Sequence, residues 1–120
     1  MKKSMIVFCI LFFTRGAFAV TFPEDRVYQY NIFGSERACQ EYRRINPVVN
    51  CYQYGNFSTD GDVFLLFTDV PNVGKYSLEE NKIHVVFAIH HDAPQEMEFL
   101  LSEDQRSATN LLDGRIWNLK

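Results

Sequence analysis

The sequence predicts an α+β domain: an antiparallel-rich sheet of about five strands with two helices packed on it, in the order β-α-β-β-β-β-α. Three observations lead there. Alternating runs rich in aromatic and β-branched residues recur along the chain. Two stretches, after Ser35 and after Ser102, open on residues that cap helices. Short turn signals separate most of the strands, which makes them hairpin neighbours.

The first segment stands outside that domain. Lys2 and Lys3 precede an uncharged apolar run from Met5 to Phe13, and Ala17-Phe18-Ala19 forms a small-x-small cleavage site. The run is shorter than the ~20 residues needed to span a bilayer. Residues 1–19 therefore read as a cleavable signal peptide and residues 20–120 as a single globular domain, exported to a periplasmic or secreted location.

Within that domain Val20 to Arg26 is a short polar lead. Val27 to Phe33 (VYQYNIF) alternates and reads as the first strand. Ser35 is an N-cap and Glu36 complements the dipole of a helix running to about Asn46. Ala38, Cys39, Tyr42 and Ile45 share its apolar face, and Pro47 ends it. Val48 to Phe57 is the second strand, and Asp60-Gly61 marks a hairpin turn.

Asp62 to Val70 is the third strand. Its unbroken core Val63-Phe64-Leu65-Leu66-Phe67 suggests a central strand covered on both faces. Pro71 to Lys75 reads as a turn. Lys82 to His90 is the fourth strand, with Ile83, Val85, Phe87 and Ile89 on one face. After the turn at His91-Asp92-Ala93-Pro94, Gln95 to Leu101 is the fifth. There Met97, Phe99 and Leu101 point inward, and Glu96 and Glu98 point to water. Ser102 to Gln105 fits a capping box for a second helix reaching about Asp113, with Gly114 at its C-cap. Ile116 to Leu119 is a short terminal strand or packed tail carrying the single tryptophan, Trp117.

Three cysteines occur in the chain, and Cys9 lies in the signal. Cys39 and Cys51 remain as an even pair in an exported domain, which reads as a disulfide joining the first helix to the strand after it. The loop-entropy account gives such a bridge ~3 kcal/mol.

Loss of Lys2, Lys3 and Arg15 with the signal leaves nine of the 12 Lys and Arg against 15 Asp and Glu. An acidic domain disfavours nucleic acid and anionic lipid and suits a cationic protein partner. No second apolar run is long enough for a membrane span, so no membrane insertion is expected after signal cleavage.

No spacing identifies a catalytic or metal centre, and no cofactor is expected. His84 and His90 share a strand face but lie ~20 Å apart at strand rise, too far to ligate one ion. Asp60-x-Asp62 matches only a fragment of a calcium loop and is better read as the hairpin turn. No G-x-S-x-G occurs, and Glu79-Glu80 and Glu103-Asp104 are sequence neighbours rather than partners across a cleft. The chain is accordingly read as a non-enzyme. Asn56-Phe57-Ser58 matches a glycan acceptor; the short signal reads as bacterial, where such a match carries no weight, and in a eukaryotic protein Asn56 would be a candidate glycan site.

What remains is binding. Tyr28, Tyr30, Tyr52 and Tyr54 alternate on the first two strands, and tyrosine is enriched at interfaces. The turn from His91 to Pro94, flanked by Glu96 and Glu98, is the first choice for a contact loop, and the turn from Asp60 to Asp62 the second. The partner-binding set is His91, Asp92, Glu96, Glu98, Tyr52 and Tyr54. The function expected is an exported inhibitor or immunity protein that blocks a cell-wall-degrading enzyme or toxin. The alternative is a structural or assembly component of a bacterial envelope complex.

The disulfide yields a direct test. Thiol titration of unreduced, denatured protein carrying residues 20–120 should find no free thiol, and two reactive thiols would refute the pairing.

Overall fold

A computed structural model describes residues 20–120, and the expected signal peptide lies outside the described residues. The strands are β1 (Arg26–Asn31), β2 (Tyr52–Phe57), β3 (Asp62–Leu66), β4 (Pro71–Glu79), β5 (Lys82–Ile89), β6 (Glu96–Leu101), β7 (Ser107–Asn110) and β8 (Ile116–Leu119). One helix, α1 (Glu36–Arg43), lies between β1 and β2. Each strand pairs antiparallel with the next, and β8 returns to β1 through Tyr28↔Leu119 and Gln29↔Asn118. The result is a closed eight-stranded up-and-down barrel. It is not the five-stranded α+β sheet with two helices that the sequence predicts.

The interior explains the closure. Eight strands enclose a space just wide enough to be filled by side chains. Here every strand sends alternate residues inward: Tyr28; Phe57; Val63 and Leu65; Tyr76; Ile83, Val85 and Phe87; Met97, Phe99 and Leu101; Ala108; and Trp117. Phe22, from the segment before β1, is buried among them. The aromatic rings form a column along the barrel. Phe22 touches Tyr28, Phe57 and Tyr76, Phe57 meets Phe99 edge-on at 6.0 Å, Phe99 meets Trp117 at 5.2 Å, and Trp117 meets Phe67 at 6.0 Å. Such tilted pairs contribute about 0.5–1.5 kcal/mol each beyond the area they bury.

Three expectations fail for local reasons. The stretch from Pro71 to Lys75 is not a turn but the start of β4. Pro71 occupies the first strand position, where its missing N–H is tolerated. Ser102 to Gln105 does not cap a second helix. Ser102 Oγ donates to Asp104 Oδ1, Arg106 N donates to the same oxygen, and Gln105 N donates to Ser102 O. The polar side chains that cap helices also build turns. After this turn Ala108 and Asn110 point inward and Ser107 and Thr109 outward, a period of two that becomes β7. Finally, β3 is covered on one side only. Val63 and Leu65 are buried while Phe64 faces outward and is exposed, because no helix layer covers the barrel wall.

A bulge in the longest hairpin bends the wall. Val73 pairs with Ile89 but Gly74 pairs with Phe87, so Ala88 is the extra residue. This turns Ile89 out to solvent, away from the face it was predicted to share with Phe87. At Gly74 the β5 backbone crosses so closely that an added Cβ would sit 2.1 Å from Val86 O. Gly74→Ala should therefore lower unfolding stability by ~2 kcal/mol or more, read from urea denaturation, because backbone rather than a side-chain tip must move. An unchanged midpoint would show that the bulge is not tight.

Candidate interaction surfaces

A filled barrel leaves its two ends and its outer wall to do work. The lower end is sealed by the lead segment. Leu78 N donates to Val20 O, Phe22 N donates to the Tyr76 hydroxyl oxygen, and Thr59 N donates to Asp25 Oδ1. The Asp60–Asp62 turn lies at this end, where Asp62 pairs with Lys75 and Ser58 bonds Asp60. The upper end carries α1 with its following loop and the turns at residues 67–70, 90–95 and 111–115.

The turn of first choice, His91 to Pro94, is fastened down. Buried Asn72 on β4 accepts hydrogen bonds from His91 N at 2.7 Å and Ala93 N at 3.3 Å through its Oδ1. Its Nδ2 donates to Leu65 O and to Asp92 Oδ1, and Thr68 Oγ1 donates to Asp92 Oδ2 at 2.7 Å. Both Asp92 oxygens are thus engaged with the protein's own groups. Sequence reading placed Asp92 at a contact; the structure shows it bracing two turns of the upper rim.

Glu96 and Glu98 face outward from β6, as the alternation requires. They flank His84 on β5, with Glu96 Oε1 3.6 Å from Nε2 and Glu98 Oε2 3.4 Å from Nδ1, and Lys82 Nζ is 3.8 Å from Glu98. This is a mixed-charge wall rather than a free acidic patch, and exposed pairs of this kind contribute little to stability.

The four tyrosines do not share a surface. Register sets Tyr28 opposite Gly55 and Tyr30 opposite Gln53 on the inner side, and Gln29 opposite Tyr54 and Asn31 opposite Tyr52 on the outer side. Tyr28 is buried, and its hydroxyl donates to Gln105 O at 2.7 Å. Tyr52 and Tyr54 line an open outer groove with Val27, Gln29, Asn50 and Lys120. The Tyr52 hydroxyl donates to Glu36, an interaction that raises the tyrosine pKa above its ordinary value. In the ring of eight strands β2 lies across from β6. The tyrosine groove and the Glu96–Glu98 face therefore cannot meet one flat partner together.

The feature that sequence reading missed is the arm from Glu36 to Asn50. Ser35 Oγ accepts from Ala38 N as the N-cap, as predicted, but the helix stops at Arg43, short of Asn46. Cys39 and Cys51 are both buried and bridged, with Cα atoms 5.7 Å apart. This bond ties the arm to the root of β2. Phe33 stacks on Tyr42 at 4.9 Å, and Arg43 Nε donates to Val49 O at 3.2 Å, closing the loop on itself. Ile45, assigned to the apolar helix face, instead lies past the helix end and is 85% exposed; Val48 is 89% exposed. A leucine pair, Leu111 and Leu112, is also exposed on the neighbouring 111–115 turn. Spacing alone could have placed Ile45 outside only if the early helix end had been seen.

Among the described residues, three buried side-chain polar atoms lack a protein partner: Gln53 Oε1, Asn110 Nδ2 and Trp117 Nε1. All point into the upper half of the barrel. Among the described residues no three His, Cys, Asp or Glu side chains are grouped to hold a metal ion. No protein-family profile, no curated protein and no solved structure matches this chain.

The rim network makes a pH prediction. Partial burial pushes the Asp92 carboxyl up, but the hydrogen bonds from Asn72 and Thr68 outweigh it and hold the carboxyl below the ordinary aspartate range. A lowered folded-state pKa contributes stability above the unfolded value, ~3.9, and loses it as pH falls through the folded one. Asp92→Asn should therefore flatten the acid limb of the stability curve below about pH 4 and leave its slope unchanged above pH 5. An identical acid limb in wild type and variant would count against the network.

Proposed function

We propose that this chain is an exported periplasmic protein that acts by binding another protein, as an inhibitor or immunity protein against a cell-wall-degrading enzyme or toxin. The observation that carries the reading is a solid barrel bearing a projecting, disulfide-anchored arm. The core is occupied by its own aromatic column, so the chemistry on offer is that of a surface. The arm exposes large apolar side chains that a lone folded domain has no reason to present together with a stapling bond. The acidic balance of the domain supports a basic partner, because complementary charge speeds encounter. Enzymes that act on the anionic wall fit that description.

A second reading has its own support. Tyr54, Leu66 and Pro71 form one cross-strand row on the outer wall, and Phe64, Val73 and Ile89 form the next. Such a face suits a component of an envelope assembly. Closure of the barrel pairs every strand on both sides, so an assembly partner would meet a face rather than add a strand to an edge.

The deciding experiment expresses the chain with and without residues 1–19 in cells exposed to lysozyme or to a secreted wall hydrolase. Protection that depends on residues 1–19 is the expected result. Absence of protection, with no binding to any wall hydrolase in a pull-down from envelope extract, would transfer the assignment to the assembly reading.

A further inference from the structure

The arm inverts the charge of the rest of the domain. Glu36 to Asn50 carries Arg37, Arg43 and Arg44 against Glu36 and Glu41, while the remainder of residues 20–120 is strongly acidic. Arg37 and Glu41 on α1 and Arg44 at its C-cap fall on one face, at positions i, i+4 and i+7. Glu41 is 3.7 Å from Arg44 in an exposed pair that a stronger anion can displace. Beyond Arg44 the chain turns through Ile45 and Pro47 to Val48, so the tip combines a guanidinium with two nearly fully exposed aliphatic side chains. Glu36 is engaged with Tyr52, which removes one of the two carboxylates from the exposed charge.

We propose that this arm is the element that enters the partner, and that the partner's receiving site is an acidic cleft: the paired carboxylates of a wall-cleaving glycosidase. This rests on the inhibitor reading above and names its target site. Glycosidases carry two carboxyl groups about 5 to 10 Å apart in a groove that also contacts the apolar faces of sugar rings. Arg44, with Arg37 behind it, offers a planar donor fork that pairs with carboxylates. Ile45 and Val48 fill the adjoining apolar subsites. The two charge signs then divide the work. The acidic barrel attracts an enzyme that is basic overall, and the basic tip seats in the one acidic depression that enzyme possesses. The disulfide holds the tip in shape before contact, which reduces the ordering cost of binding.

The test measures inhibition of peptidoglycan hydrolysis by lysozyme and by a panel of other peptidoglycan-cleaving glycosidases, using disulfide-intact protein. Wild type should inhibit at least one enzyme and compete with a chito-oligosaccharide for its cleft. Arg44→Glu combined with Ile45→Asp should weaken inhibition about thirtyfold or more, the effect of losing a hot spot. Val48→Ser alone should weaken it less. Glu96→Lys with Glu98→Lys should change mainly the association rate. These side chains are exposed apart from half-buried Glu98, and unchanged melting temperature and absence of free thiols would confirm that the variants are folded. Replacing one cleft carboxylate of the enzyme by its amide, with binding affinity as the readout because that enzyme variant no longer hydrolyses, should blunt the effect of Arg44→Glu, the coupling expected of a direct pair. Wild-type inhibition that survives the arm substitutions would overturn the arm proposal and leave the inhibitor reading standing. No inhibition of any enzyme by wild type would overturn both.

Discussion

The width of an eight-stranded barrel governs this molecule. The enclosed space admits side chains and little else, so each strand must deliver residues of the right size at the right height. The column from Phe22 through Phe57 and Phe99 to Trp117 and Phe67 answers that demand. Phe22 is not part of any strand, yet it is as buried as the strand residues it touches. The lead segment thus acts as a stopper for the lower end, and the Tyr76 hydroxyl accepts its backbone N–H while donating to Ser58 O. Truncating a ring in this column removes contacts on several strands at once, since each ring bridges neighbours that do not pair through backbone.

Much of this was legible from alternation. The inward and outward faces of β6 follow directly from Gln95 to Leu101, and those of β5 follow up to Phe87. What was illegible came from residues with two meanings. Pro71 and Gly74 punctuate a turn elsewhere but here open a strand and permit a bulge. Ser102, Asp104 and Gln105 cap helices elsewhere but here form a turn that feeds β7. With β4 and β7 missing from the count and β8 left as a short strand or packed tail, a closed ring could not be recognised, and five strands with two helices remained. The tyrosines teach a different limit. Alternation says that Tyr28 shares a side with Tyr30 and Tyr52 with Tyr54. Only the register, Tyr28 against Gly55, says that the two pairs face opposite ways.

The candidate site was legible in part. The disulfide and the N-cap at Ser35 were readable because each depends on local chemistry. The arm's exposure was not, because it depends on α1 lying off the barrel wall with nothing packed over its far end. The surface electrostatics also became clear only in three dimensions. His84 sits between Glu96 and Glu98 and shares the wall with Lys82, so the acidic run of the sequence is partly neutralised where it folds. Asp92 is turned to internal use. Charge counted along the chain overstates what a partner meets.

The seam between β1 and β8 is held by two residue pairs, whereas β4 and β5 share seven. Its partners, Tyr28 and Leu119, stand near opposite ends of the described chain. Joining them closes the longest loop in the fold, and contacts of that span form late and slowly. Hairpins from β2 to β7 can assemble from near neighbours, but the ring stays open until the final strand arrives. The timing of compaction is therefore set by β8. Until β8 docks on β1, the sheet is an open ribbon with two unpaired edges, and those edges are the surfaces on which a second copy could pair.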